Sequence, residues 1–119
     1  MGKTLVLGAS LREDRYSNMA VRRLKKAGES VVAFGLKKGT VAGVEIDTEL
    51  QPYGQVDTVT LYINPERQKP YYDYMISLHP QRVIFNPGTE NPELYRLLEK
   101  AGITVEVSCT LAMLATQQY

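Results

Sequence analysis

Residue types that hold anions recur at five places in the chain, each time just after a run of β-forming residues. Lys3-Thr-Leu-Val-Leu7 is followed by Gly8, Ala9 and Ser10, then by Arg12 and Arg15 ahead of Ser17. Ser30-Val-Val-Ala-Phe34 is followed by Gly35, Lys37 and Lys38, and Asp57–Ile63 ends at Asn64-Pro65. Arg82–Phe85 gives way to Asn86, Pro87 and Gly88, and Ile103–Val107 to Ser108, Cys109 and Thr110. The chemistry these suit is the grip on a phosphate. A glycine lets the chain turn tightly, so that the N–H groups of Ala9 and Ser10 and the Ser10 hydroxyl can face outward. A helix opening near Ser17 adds unpaired N–H groups and the positive end of its dipole. Arg12 and Arg15 can close on a pyrophosphate as forks.

Other chemistries lack their parts. The dinucleotide fingerprint G-x-G-x-x-G has only its first glycine here, and the end of the second strand carries no acid for a ribose, which disfavours NAD. Lys37 and Lys38 at that place favour an additional phosphate instead, as on NADP or on the ribose of coenzyme A. The one histidine, His79, enters the fourth strand from the opposite edge and reads as structural. No Cys/His cluster offers a zinc site, no Walker loop is present, and no residue is assigned a catalytic role. Cys109 stands at the ligand edge but has the residue type of a small buried hydrophobe. Tyr71, Tyr72 and Tyr74 have helical spacing, which suits packing more than base stacking.

The elements that must position these residues alternate. A helix from Ser17 to about Ala27 presents Ala20, Val21, Leu24 and Ala27 on one face, and Gly28 closes it. Residues 35–56 hold too many glycines and prolines for a long helix, leaving a loop with a short extended piece near Val41–Ile46. Asn64-Pro65 opens a helix to about Leu78, with Pro70 in its first turn, and Asn91-Pro92 opens another to about Ala101, closed by Gly102. Thr110 caps a last short helix. Five strands alternating with helices predict an α/β fold over residues 1–119: a doubly wound, five-stranded parallel sheet of order 3-2-1-4-5, with helices on both faces. Ligands of such sheets bind beyond the carboxyl ends of the strands.

Composition sets the frame. The 119 residues fit one domain, no apolar run reaches the ~18 residues a membrane span needs, and the single cysteine fits a reducing compartment, so cytoplasm is expected. The formal charge of +1 conceals a division. Residues 1–40 carry nine Lys or Arg against three acids, and the rest carries five against ten. That asymmetry points to an anionic partner near the first third, or to solvated helix faces. A basic nucleic-acid module and an NADP-linked oxidoreductase completed by a partner are the alternatives it leaves. Leu111, Met113 and Leu114 need a cover, from this chain, a second copy or a partner enzyme.

The chain resembles the small, stand-alone coenzyme A-binding proteins of Rossmann type, which are similar to the coenzyme A-binding domain of acyl-CoA synthetases and of the succinyl-CoA synthetase alpha subunit. The resemblance runs through Lys3–Ser10, Lys37-Lys38-Gly39 with Val41–Ile46, Val83–Pro92 and Cys109-Thr110. Its most specific stretch is Asn86-Pro-Gly-Thr-Glu-Asn-Pro92. It implies coenzyme A or an acyl-CoA as ligand, with pyrophosphate at Gly8–Ser10 and the Ser17 helix start. It also implies the adenosine phosphate at Lys37 or Lys38, and Asn86-Pro87-Gly88 along the adenine or pantetheine path. Phe34-Gly35-Leu36 departs from the Asn-Pro that such proteins commonly carry at the end of strand two. The ligase domains are absent, so the resemblance implies no enzymatic activity.

Overall fold

The computed structural model describes residues 2–119. Seven strands form one sheet in the order β3-β4-β2-β1-β5-β6-β7. They are β1 (Lys3–Ala9), β2 (Val31–Gly35), β3 (Gly39–Val41), β4 (Val44–Asp47), β5 (Val56–Leu61), β6 (Arg82–Phe85) and β7 (Thr104–Val107). All neighbours pair in parallel except β3 with β4. The helices are α1 (Tyr16–Lys26), α2 (Pro65–Gln68), α3 (Tyr72–Ser77), α4 (Pro92–Lys100) and α5 (Thr110–Ala115).

Alternation along the strands separates two cores. Leu5, Leu7, Phe34, Val59, Leu61, Val83 and Phe85 meet Tyr72, Met75, Leu94 and Leu98, so α3 and α4 cover this face. Val6, Ala9, Ala33, Val44 and Ile46 meet Val21 and Leu24, with Leu114 packed against them, so α1 and α5 cover the other. A period of two thus puts Leu5 and Val6 of one strand into different layers. Both faces being covered, β1 has no polar side chain at its centre. Met113, one of the three residues needing a cover, is buried within this chain.

The sheet differs from the expected one in strand count and in order. The strand expected third, at residues 57–63, is β5, and it lies beside β1 on the side away from β2. The strand outside β2 is β4, which overlaps the short extended piece expected near Val41–Ile46 and adds a sixth parallel strand to the sheet. Numbered among themselves, the six parallel strands run 3-2-1-4-5-6. The one extended piece expected there is two strands, β3 and β4, joined through a two-residue turn. Ala42 and Gly43 both take positive φ, 50° and 80°, as a type I′ hairpin requires. The crossover from β4 to β5 contains no helix. It is held instead by Tyr53, whose hydroxyl donates to the Asp47 carboxylate, and by the Tyr74 hydroxyl, which donates to the Gln51 carbonyl at 2.6 Å.

Three helix boundaries also move. Arg15, not Ser17, is the N-cap of α1, and Cys109, not Thr110, that of α5. The helix expected from Asn64 to Leu78 is broken by a 3₁₀ turn at Lys69–Tyr71. Pro70 lies in that turn, where it removes the N–H an unbroken helix would use. Asn64 and Asn91 cap α2 and α4 as expected, accepting from Arg67 and Leu94 N–H.

Two glycines let the backbone of β1 meet its neighbours. A Cβ on Gly8, whose φ is 104°, would stand 2.9 Å from the Tyr62 carbonyl carbon, and a Cβ on Gly35 would stand 2.3 Å from the Ala9 oxygen. Neither obstacle is a side chain that can swing away. Replacing Gly8 or Gly35 by Ala should therefore destabilise the fold by roughly 2–4 kcal/mol in urea unfolding. Gly43→Ala, with open space around it, should lose only about 1 kcal/mol for its positive φ. Equal losses at all three would refute the close-approach account.

Candidate functional site

The direction in which crossovers step across the sheet reverses between β1, whose crossover runs outward to β2, and β5, whose crossover runs the other way to β6. The backbones that diverge there leave the crevice in which α/β sheets hold ligands. Gly8, Ala9 and Ser10 form one lip. The loop continues to Arg15, where α1 starts with no side chain capping it, leaving the N–H groups of its first turn for a ligand or solvent. Ser17 is buried in that first turn. Arg12 forms an exposed ion pair with Asp14 at 2.9 Å, and its guanidinium holds the Asp14 carboxyl below the usual carboxylate range.

On the β2 side, Leu36, Lys37 and Lys38 are all exposed beyond the strand, Leu36 at 79%. Leu11 bridges this segment to the first lip. Its methyl carbons lie where a Cβ on Gly39 would come within 2.5 Å, so the glycine makes room for the leucine.

On the β5 and β6 side the polar residues mostly serve the fold. Asn64 is exposed, with its side chain accepting the Arg67 N–H at 3.2 Å. Asn86 is buried and spends both ends of its amide. Its nitrogen donates to the Thr60 hydroxyl at 2.8 Å and the Leu61 carbonyl at 3.0 Å, and its oxygen accepts the Thr110 N–H at 2.8 Å. Asn86 therefore sets where α5 begins, and Pro87 and Gly88 are the exposed parts of its turn. The Gly88 N–H donates to the Glu90 carboxylate at 2.9 Å.

Sequence reasoning passed over Gln68, Asn91 as more than a cap, and Tyr62. Gln68 is fully buried. It donates to the Ile63 and Thr89 carbonyls at 2.8 and 2.7 Å and accepts from Asn91, which also donates to the Tyr72 hydroxyl. This chain of bonds ties the loop after β5 to the loop after β6. Its only sequence signal was a polar residue at the inward position of a short helix. Tyr62 follows β5, and its hydroxyl is buried without a hydrogen-bond partner. Thr60 and Thr110 lie beside it, but their hydroxyls bond each other at 2.8 Å. Burial pushes the phenol up to about 12, with Thr60 and Thr110 acting in the opposite direction. Cys109 is half-buried at the start of α5.

The carboxyl edge thus gathers Gly8, Ala9, Ser10, Arg12, Arg15, Lys37, Lys38, Asn64, Pro87, Gly88 and Cys109. The charge excess of residues 1–40 is divided between the edges. Arg23, Lys25 and Lys26 stand in the last turn of α1, where they suit the negative end of its dipole, at the amino edge of the sheet. His79 is exposed at that same far edge, just before β6. A polar hollow of about 380 Å³ lined by Glu29, Asp57, Thr58, Gln81, Arg82 and Tyr119 also lies there. Its mixed charges, with Arg82 already bonded to Thr58 and Glu106, suit an anion less than the opposite edge does. Among the described residues there is no cluster of potential metal ligands and no helix long and apolar enough to cross a membrane.

A family model described as a CoA binding domain matches residues 2–115. A crystal structure of an uncharacterized protein superposes with a TM-score of 0.96 at 49% identity, over 100% of this chain and 98% of that one. A structure of cell-free ID.343 from Thermus thermophilus gives 0.84 at 22% identity, over 99% of this chain and 91% of that one. The dinucleotide forming acetyl-coenzyme A synthetase 1 of Ca. Korarchaeum cryptofilum, in complex with phosphate and ADP, gives 0.69 at 16% identity. That match covers 87% of this chain but 25% of the synthetase, and at this identity it shows the shared fold alone. No curated protein matches the sequence.

Asn86 and Tyr62 are buried near one another through Thr60 and Thr110, yet their truncations should differ. Asn86→Ala removes three buried hydrogen bonds and leaves the Thr110 N–H without its acceptor, and should destabilise the protein by about 3 kcal/mol in urea unfolding. Tyr62→Phe removes a hydroxyl that has no partner and should change stability by less than about 1 kcal/mol at pH 7. The native phenol, raised to about 12, stays protonated where an unfolded tyrosine near 10 ionises. Its contribution is therefore complete below pH 10 and lost as pH rises toward 12, so wild type should weaken relative to Tyr62→Phe across that window. Parallel pH profiles would contradict the assignment.

Proposed function

The chain belongs to the CoA binding domain family, and from that membership we propose that it binds coenzyme A or an acyl-CoA along the carboxyl edge, in the crevice between β1 and β5. The observation that carries this reading is the placement of the Gly8-Ala9-Ser10 turn against the uncapped start of α1, where the sheet reverses. Backbone and hydroxyl donors converge there, with Arg12 offsetting the Asp14 carboxylate, which fits a pyrophosphate. Ala9 and Ser10 with the first turn of α1 hold the pyrophosphate, and Arg12 exchanges its Asp14 partner for a phosphate oxygen while Arg15 closes from the helix start. Lys37 and Lys38 meet the ribose phosphate. Asn64 and the Asn86-Pro87-Gly88 turn border the pantetheine path, with Asn86 acting through the loop it anchors, and Cys109 stands at its far side.

Bound coenzyme A supplies a thiol that carries acyl groups as thioesters. The chain's own residues bind and orient it, and no group at the edge is assigned a proton transfer. We read the protein as an accessory binding domain that works in the cytoplasm, with no catalytic residue of its own. Arg23, Lys25 and Lys26 lie in the last turn of α1, at the edge opposite Lys37 and Lys38, which favours a small anionic ligand over a nucleic-acid surface.

Thermal shift and calorimetry with coenzyme A, dephospho-coenzyme A, NADP, NAD and ATP test the reading. Coenzyme A should bind at least roughly tenfold tighter than dephospho-coenzyme A, and replacing Lys37 and Lys38 together by Ala should erase that difference. Equal affinity for the two ligands in wild type would remove the role given to the lysines. Stabilisation by NADP but not by coenzyme A would overturn the ligand.

A further inference from the structure

Asn18 is a polar side chain held at 2% exposure in the first turn of α1. Its amide nitrogen donates to the Ser10 carbonyl at 2.9 Å, and its oxygen accepts from Arg22 Nε at 2.8 Å. Arg22 is one helical turn further on, so the two stand on the same face. The same guanidinium donates through a second nitrogen to the Glu13 carbonyl at 3.1 Å. One buried amide and one arginine thus capture the carbonyls at both ends of the Ser10–Glu13 loop.

A trans peptide directs its N–H opposite to its C=O. Drawing the Ser10 and Glu13 carbonyls onto α1 therefore turns the Leu11 and Asp14 N–H groups away from the helix. The Leu11 N–H has no acceptor among the described residues, while the Asp14 N–H lies against its own carboxylate. The Ser10 hydroxyl oxygen accepts the Arg12 N–H at 3.1 Å, which leaves its own hydrogen to donate elsewhere. Leu11, seated over Gly39, braces the loop from the other side.

We propose that Asn18 and Arg22 are positioning residues: they hold the Ser10–Glu13 loop in the shape that presents the Leu11 N–H and the Ser10 hydroxyl to a phosphate group, without touching it. This rests on the coenzyme A reading of the same edge. It assigns the selectivity for the pyrophosphate to a loop conformation stored in a helix, and not only to the surface charges Arg12 and Arg15. Arg22 here does not pair with an acid, so its charge also raises the potential behind the loop.

Calorimetry on the full chain tests this with three ligands: coenzyme A, inorganic pyrophosphate, and pantetheine, which carries no phosphate. Asn18→Ala and Arg22→Ala should each weaken coenzyme A and pyrophosphate by about tenfold and leave pantetheine unchanged. Amide exchange at residues 10–14 should quicken in both variants, and Arg22→Lys should recover part of the affinity. Arg22 is exposed, so its variant reports even if Asn18→Ala does not fold. Unchanged pyrophosphate affinity in Arg22→Ala would overturn the inference while leaving the coenzyme A reading standing. Equal losses for all three ligands would also overturn it, as general damage to the fold. Failure of wild type to bind either coenzyme A or pyrophosphate would instead sink the binding reading, and the inference with it.

Discussion

Tyr62 N–H reaches the Leu7 carbonyl at 2.8 Å, and one residue later the chain passes so close to Tyr62 that only a hydrogen fits on the Gly8 α-carbon. On its other side β1 runs equally close to β2, where Gly35 leaves room for the Ala9 oxygen. The register of β1 against β2 shifts between Leu7 and Ala9, and the strand ends at Ala9. The chain leaves the sheet at that point with Ser10 turned toward α1. The crevice, the loop and the open helix start all follow from that close packing. Gly8 therefore belongs to the scaffold as much as to the ligand edge.

Around this centre the polar residues divide by burial. The buried amides, Asn18, Gln68, Asn86 and Asn91, have both ends engaged, and each ties a loop to an element. Neutral amides can do this inside the fold because they need no counter-charge. Charged groups stay outside, where Arg12, Arg15, Lys37 and Lys38 can move onto a ligand. The edge is thus a rigid backbone frame with mobile charges, a division that suits recognition of a shared phosphate scaffold.

Much of this was legible in the sequence. Strand-forming runs punctuated by Gly, Asn-Pro and Gly placed five of the six parallel strands and most helices. Asn64 and Asn91 read correctly as caps because the residue after each is proline. The failures have physical causes. β3 and β4 read as one short extended piece among glycines with no place in the sheet, and they alone account for the wrong strand order. Ser17 and Thr110 look like caps by residue type, but each sits inside the helix, buried by the face it shares. Arg15 and Cys109 cap by backbone geometry alone, which leaves no side-chain signature. Asn86 stands in the most specific motif of the chain, yet its amide is used up internally, so residue type alone does not give the atom of that loop that faces outward. Gln68 and Asn18 went unnoticed because a polar residue in a helix reads as surface until the partners are known.

The central claim is that the phosphate-bearing ligand lies at the carboxyl edge, against the Gly8–Glu13 loop and the start of α1. Amide chemical shifts of labelled protein titrated with coenzyme A test it most directly. The account predicts large changes at Ala9, Ser10, Leu11, Asp14, Tyr16 and Ser17, with smaller ones at Lys37 and Lys38. Glu29, Asp57, Gln81 and Tyr119 at the amino edge should stay still. Changes concentrated at those four residues, with the Gly8–Ser17 segment unmoved, would contradict it.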